Sequence, residues 1–209
     1  MSNVEKSWDR IHAWLGLNAN NILQSLQEPA NLTHIRTLED LVGATLPQQL
    51  VELYSKHNGI NPDCCANLIY GINFIPIENT IEQMNNYGSV SDQLSLKYAD
   101  VGIDPSYTFG KKRVPIADDR GACLLCVDLE PSQHGIIGQV ILLDHDSGVA
   151  LKLADSIDEL LEKFAEDLES GKYTLLPEAL KDGNEWLEPA KEIDVVNWFN
   201  SPTWAHVKT

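Results

Sequence analysis

The sequence predicts an α+β protein with one β-sheet, mostly antiparallel but mixed, flanked by helices and followed by a C-terminal extension. Three observations predict this fold class. Apolar residues recur at helical spacing in the N-terminal part, four short apolar runs separated by turns follow from residue 112, and an amphipathic helix comes directly after them. Hydrophobic residues make up 43% and charged residues 22% of the 209 residues, which is typical of a compact soluble domain.

The N-terminal part is predicted to be helical. Residues 4–15 carry apolar side chains at spacings of four, three and four, and residues 22–26 predict a short helical turn. A helix is predicted over 33–43 and a stronger one over 46–59, where Pro47 occupies the first helical position. The short link between these two helices predicts that they pack as a hairpin.

The middle of the chain contains one strand candidate and one helix candidate. The apolar run LIYGINFIPI predicts a strand that ends near Pro76. The following segment, IENTIEQMNNYG, places Ile77, Ile81 and Met84 on one side of a helix.

Four strands are predicted from residue 112 onwards, and their connections are short enough for an antiparallel meander. The four runs are KRVPIADD, GACLLCVDL, GQVILLDHD and GVALKLA. The continuous apolar character of the central two predicts that both faces of the sheet are covered.

A C-x-x-C pair lies inside the second of these runs. Successive side chains of a strand point to opposite faces, so Cys123 and Cys126 are predicted to face opposite ways and not to share a zinc ion or a disulfide. The other two cysteines, Cys64 and Cys65, are adjacent, and no second C-x-x-C completes a four-ligand site. We therefore predict no metal and no cofactor.

The last predicted helix spans 156–170, where Ser156 and Glu159 form a capping box and Gly171 ends the helix. We expect an α+β domain over residues 1–171. Residues 172–209 are an acidic extension whose tryptophans predict that it docks on the domain.

The chain is strongly acidic, with 15 Lys and Arg against 31 Asp and Glu and a formal net charge of −16. This charge disfavours direct binding to nucleic acid or to an anionic membrane and favours a basic protein partner. The sequence begins without a basic segment followed by an apolar core, and no stretch reaches the length of a membrane span. A cytoplasmic location is the expectation.

Two groups of carboxylates are candidates for partner binding. The first lines one face of the last helix, and the second lies at strand ends. The residues are Asp158, Glu162, Glu166 and Glu169 on the helix, and Asp118, Asp119, Asp144 and Asp146 at the strand ends. The helix face is either a solvated surface or the contact for a basic cleft. If it is the contact, charge reversal at Glu162 and Glu166 should slow association with the partner.

A metal-assisted hydrolase is a third possibility, because Asp128, His134 and His145 lie near the strand-end carboxylates in the sequence. However, Asp144 and Asp146 lie where a hairpin turns, and aspartates before a glycine are typical turn residues. No nucleophile, base and orienting group occur at a recognisable spacing. The sequence therefore favours a protein that is not an enzyme.

Several motifs, taken together with their order and spacing, resemble the SUKH superfamily, which includes Smi/Knr-type cell-wall assembly regulators and bacterial immunity proteins. The motifs are WDRIHAWL at 8–15, LEDLVG at 38–43, LPQQLVELYSKHNG at 46–59, VPIADD at 114–119, CVDLEP at 126–131, GIIGQV at 135–140 and SIDELL at 156–161. The resemblance covers roughly Trp8 to Gly171 and does not include the extension. It implies an α+β fold and a function in binding rather than in chemistry.

The resemblance leads to two expectations about the partner. The first is a bacterial immunity protein that neutralises a cognate toxin, for example a nuclease, by stoichiometric binding. The alternative is an adaptor or regulator of cell-wall synthesis or growth signalling, whose partners are native to the cell.

Overall fold

The computed structural model describes residues 2–87 and 95–207. Seven helices and eight strands are assigned within these ranges. The helices are α1 (Asn3–Asn18), α2 (Asn20–Ser25), α3 (Leu32–Val42), α4 (Gln48–Lys56), α5 (Ile77–Tyr87), α6 (Ile157–Glu169) and α7 (Pro177–Lys181). The strands are β1 (Asn73–Phe74), β2 (Tyr98–Ala99), β3 (Arg113–Asp118), β4 (Cys123–Asp128), β5 (Gln139–Asp144), β6 (Val149–Ala154), β7 (Tyr173–Leu175) and β8 (Leu187–Pro189).

Six of these strands form one mixed sheet in the order β1-β3-β4-β5-β6-β2. The four central strands are antiparallel neighbours, as the meander prediction requires, and β1 adds an antiparallel edge. At the other edge β2 runs parallel to β6. The α+β fold with a mixed, mostly antiparallel sheet is therefore confirmed.

Both faces of the sheet are covered. The main core lies on one face and includes Trp8 of α1 and Phe164 of α6, both almost fully buried. A smaller apolar cluster on the other face contains Leu124 and Ile141. Cys123 belongs to the main core and Cys126 to the smaller cluster, so the two cysteines do point to opposite faces. Burial raises the pKa of the Cys126 thiol to about 12, which keeps it protonated and unreactive.

The helices pack around the main core in two groups. Helix α1 lies along α6 and also contacts α2 and α4. The hairpin predicted for α3 and α4 is wrong, because α3 has its main contacts with α5, while α4 packs against α1 and α6. Gly43 ends α3 in the left-handed conformation, and the extended backbone of Pro47 redirects the chain before α4 begins. A contact between His34 Nδ1 and Glu78 Oε1, 2.7 Å apart, joins α3 to α5.

The strand predicted over LIYGINFIPI is largely replaced by a tight turn. Ile69–Gly71 forms a 3₁₀ turn, and only Asn73–Phe74 pairs with the sheet. Tyr70 and Gly71 both have positive φ, at 55° and 75°, which reverses the chain before the strand can extend. The spacing of apolar residues in a sequence gives no indication of such a reversal.

The extension packs into the main core. Strands β7 and β8 form a small antiparallel pair, and Leu187, Val195 and Trp198 are all buried in the core of the domain. The buried side chain of Asn67 accepts a hydrogen bond from Leu187 N and donates one to Leu187 O, both at 2.8 Å. The boundary at residue 171 stays a prediction. None of the described helices is long and apolar enough to cross a membrane.

Candidate functional site

A cavity of about 250 Å³ lies between the turn at Tyr70, the end of β3 and the extension, and we call it the acidic groove. Four carboxylates line it, together with one cation, Arg120. The carboxylates are Asp118, Asp119, Glu188 and Asp194. Apolar side chains from the extension, among them Leu176 and Trp186, line the same cavity. The groove thus combines apolar surface with an excess of negative charge.

The turn between β3 and β4 supplies two of the four carboxylates. Asp118 accepts hydrogen bonds from Gln83 Nε2 at 2.6 Å and from Arg120 N at 3.2 Å. Asp119 Oδ1 accepts from the backbone N–H groups of Gly121 and Cys123 at 2.7 and 3.0 Å. These bonds fix the position of both carboxylates, and an ionised carboxylate has lone pairs left for further donors.

The extension supplies the opposite wall. Asp194 is held by Asn197, whose backbone N and side-chain Nδ2 donate to its two oxygens at 3.1 and 2.8 Å. Glu188 is exposed on β8, and Trp186 just before β8 is half-buried. Asn67 of the domain holds the backbone of Leu187 by two hydrogen bonds, and these bonds fix the position of this wall.

Backbone strain is concentrated at the acidic groove. Among the described residues, Tyr70 and Arg120 are the two non-glycine positions with positive φ, at 55° and 58°, and both line the groove. Left-handed backbone is costly for such residues, and it often occurs at functional sites. Tyr70 N donates a hydrogen bond of 3.1 Å to the buried hydroxyl of Tyr173.

The strand-end carboxylates predicted from the sequence do gather at one end of the sheet. Burial raises the pKa of Cys123, and the charges of Asp119, Asp144 and Asp146 raise it further. Only Asp118 and Asp119 line the groove. Asp146 is exposed beside His145, with its oxygen 3.3 Å from Nδ1.

Asp144 has an internal role in the structure. It is only 6% exposed and accepts hydrogen bonds from Ser147 N at 2.9 Å and from Trp198 Nε1 at 3.0 Å. Its burial by the extension leaves little surface for a partner. Across residues 2–87 and 95–207, no group of three or more His, Cys, Asp or Glu side chains is arranged to hold a metal ion.

The carboxylates on α6 have different surroundings. Glu162 and Glu166 are exposed. Glu169 forms a two-pronged pair with Arg10 of α1, with contacts of 2.9 and 2.6 Å, which lowers the pKa of Glu169. Asp158 is half-buried, and burial, followed by the nearby charge of Glu52, raises its pKa. The role of this face in partner binding stays a prediction.

Of the residues that line the groove, the sequence identified Asp118 and Asp119 as site candidates. The candidates did not include Tyr70, Arg120, Trp186, Glu188 or Asp194. The tryptophans of the extension were a signal that it docks, but they could not indicate where. The contact of Asn67 with Leu187 spans 120 positions in the sequence, which lies outside any local pattern.

The model of the SMI1 / KNR4 family (SUKH-1) matches residues 29–163. Among curated relatives, KNR4/SMI1 homolog 2 of Debaryomyces hansenii is 20% identical over 84% of this chain and 37% of its own length. The glucan synthesis regulatory protein of Neurospora crassa is 22% identical, over 81% of this chain and 39% of that protein.

A third relative is the cell wall biosynthesis/cell cycle regulator smi1 of Schizosaccharomyces pombe, at 25% identity over 81% of this chain and 37% of that protein. The chain thus spans less than two fifths of the length of these relatives. The family match includes the β3–β4 turn of the acidic groove but ends before the extension that forms the other wall. The resemblance noted in the sequence is confirmed, and the chain belongs to the SMI1/KNR4 (SUKH-1) family.

Proposed function

We propose that this protein is a non-catalytic regulator that binds a basic segment of a partner protein in the acidic groove, and that it acts in the control of cell-wall synthesis from the cytoplasm. The single observation that carries the binding mode is the groove itself, with four carboxylates and one arginine around an apolar lining. The cell-wall role is supported by the names of the fungal relatives, two of which are called regulators of glucan synthesis or of cell wall biosynthesis.

The lining of the groove suits lysine and arginine side chains. Such side chains have an apolar stem, which would pack against Trp186 or Leu176, and a charged head, which would meet the carboxylates. An arginine above an indole ring gains a further cation–π attraction. A groove of about 250 Å³ would hold a few side chains of an extended segment rather than a whole domain.

A second candidate is the immunity function expected from the sequence. The same acidic groove would complement the basic cleft of a nuclease toxin, which must bind phosphate. The identity of the bound partner therefore distinguishes the two functions. Affinity capture from the native cell at low salt, followed by identification of the bound protein, would recover wall-synthesis or signalling components in the first case and a basic toxin in the second.

Charge reversal in the groove is expected to weaken binding of the captured partner. Glu188→Lys introduces a positive charge at an exposed position of β8, so the affinity should fall by about fivefold or more, mainly through a slower association rate. Surface plasmon resonance at two salt concentrations would measure both rates, and screening should reduce the difference at high salt.

The matched control is Glu166→Lys, which makes the same change on the exposed face of α6. It should alter the affinity by less than about twofold. The opposite pattern, with Glu166→Lys weakening binding and Glu188→Lys leaving it unchanged, would move the interface to α6 and refute the groove as the binding site.

A further inference from the structure

A second cavity, of about 330 Å³, lies where β6, α6 and the extension meet, and Tyr70 is the one residue that it shares with the acidic groove. We call this cavity the lysine pocket. The residues on which its chemistry depends are Tyr70, Lys152, Lys163, Lys172, Glu192 and Trp204.

The residues that line the lysine pocket differ in composition from the acidic chain as a whole. Acidic residues outnumber Lys and Arg by 31 to 15 in the whole sequence. The lining of this cavity instead carries three lysines, Lys152, Lys163 and Lys172, against one glutamate, Glu192. Asp155 and Asp167 lie beside this lining and pair with Lys152 and Lys172, so Lys163 is the lysine of the cavity whose charge has no carboxylate partner among the described residues.

Two of the three lysines are held in place by neighbouring carboxylates. Lys172 Nζ lies 2.7 Å from Oδ1 of Asp167, whose side chain is 5% exposed, and this pairing raises the pKa of Lys172. Lys152 Nζ lies 2.5 Å from Oδ1 of Asp155, which is 55% exposed. Lys163 is exposed on α6 and makes no ion pair with a carboxylate of the described residues.

The three ammonium groups remain available to bind an anion despite these pairings. The Lys152–Asp155 pair is partly exposed, with side chains 27% and 55% exposed, and pairs near the surface contribute little to stability, so Lys152 can exchange its partner at small cost. Lys163 needs no exchange, because its charge is not neutralised by a described carboxylate. Lys172 keeps its buried partner and still has further ammonium hydrogens to donate.

An aromatic surface lies beside the lysines. Trp204 is half-buried and packs against the main core. The preceding residue fixes this segment, because Thr203 Oγ1 donates a hydrogen bond of 2.6 Å to Glu192 O. Tyr70 also lines the cavity but is only 5% exposed, so Trp204 is the ring available for stacking. A flat ring of a ligand could therefore stack in the same cavity that holds the charged groups.

We propose that the lysine pocket binds a phosphomonoester attached to a flat ring, with the lysines on the phosphate and Trp204 against the ring. Lysine is a common phosphate ligand, and a dianion matches several ammonium groups better than one carboxylate does. The cavity volume is at the lower end of the range for small-molecule sites. A free nucleotide and the phosphotyrosine of a partner protein share this chemistry.

Isothermal titration calorimetry on the full chain tests the proposal with AMP, O-phosphotyrosine and inorganic phosphate as probes. At least one of the ring-bearing probes should bind with a Kd of about 1 mM or tighter, and inorganic phosphate should bind about tenfold more weakly. Binding of AMP alone would indicate a nucleotide, and binding of phosphotyrosine alone would indicate a phosphorylated partner. No heat change from either ring-bearing probe at about 10 mM would overturn the proposal.

Two variants and one control variant locate the binding. Lys163→Gln should weaken the affinity for the ring-bearing probe at least about fivefold. Lys111 is an exposed lysine outside the pocket, so Lys111→Gln should change this affinity by less than about twofold. Equal losses in both variants would refute this site. Trp204→Ala should remove the preference for ring-bearing probes over inorganic phosphate, and a preserved preference would refute the stacking role. Circular dichroism of each variant verifies the fold.

Discussion

Replacing Asn67 by alanine should lower the free energy of unfolding by about 3–5 kcal/mol. Asn67 is fully buried and makes three side-chain hydrogen bonds of 2.8 Å: Nδ2 donates to Gly71 O and Leu187 O, and Oδ1 accepts from Leu187 N. Alanine would leave these backbone groups buried without partners, which costs more than the loss of exposed bonds. Urea unfolding, followed by circular dichroism, measures the change.

The variant should also lose partner binding, because Leu187 lines the acidic groove beside Glu188. Hydrogen exchange provides a local measurement, since the Leu187 amide should exchange much faster in Asn67→Ala than in the wild type. Asn184→Ala is the matched control in the extension. The Asn184 side chain makes no hydrogen bond that the structure describes, so Asn184→Ala should lower the free energy of unfolding by no more than about 0.5 kcal/mol. A similar loss in both variants would contradict the role of Asn67 as the attachment point of the extension.

Acidification from pH 7 to pH 5 should destabilise the protein through His12 and His57. Their Nε2 atoms lie 2.8 Å apart, and His57 Nδ1 lies 2.8 Å from Gln27 O. A carbonyl only accepts, so His57 Nδ1 carries the hydrogen and neutral His57 Nε2 accepts from His12 Nε2–H. Burial lowers the pKa of both rings. For His12 the neighbouring His57 lowers it further, and for His57 the charge of Lys56 does.

The direction of the effect follows from the lowered pKa values. In the unfolded chain histidines take up protons near pH 6.5, while the folded pair resists protonation. The unfolded state therefore binds more protons as the pH falls, and stability that is complete above about pH 7 is lost toward the folded pKa values. Protonation of His57 would place two N–H donors face to face, so the expected loss is about 1–3 kcal/mol.

Urea unfolding at a series of pH values measures this dependence. The double variant His12→Gln/His57→Gln should show a flatter profile between pH 7 and pH 5 than the wild type. His134→Gln is the control, because His134 is exposed on the β4–β5 loop. An unchanged slope in the double variant would show that other groups determine the pH dependence.

Local patterns predicted most of the fold because they depend on near neighbours in the sequence. The alternation inside CLLC predicted that the two cysteines face apart, and the stripe on α6 predicted its buried side. The predicted cap also formed, since Ser156 Oγ accepts from Glu159 N at 3.2 Å. The return bond of the capping box is displaced by one residue, because Glu159 Oε2 accepts from Asp155 N at 2.5 Å and not from Ser156 N. Each of these features lies within a few residues.

The site was less predictable because its parts come from distant segments. Asp118 and Asp119 were identified as candidates, but the wall that completes the groove comes from residues 176–197. Asp144 has the same residue type and a similar strand-end position, yet Trp198 covers it through a contact across 54 positions. Charge patterns indicate which residues are polar, and only tertiary packing determines which of them remain accessible.

The two short edge strands have a consequence for how this protein meets other chains. Strands β1 and β2 have two residues each, and side chains occupy part of the remaining edge: Thr80 Oγ1 donates to Pro115 O of β3, and Asp100 Oδ2 accepts from Lys152 N of β6. A foreign strand thus finds few free backbone groups with which to extend the sheet. The six-stranded sheet is protected from edge-to-edge aggregation, and recognition of a partner by strand addition to this sheet is disfavoured.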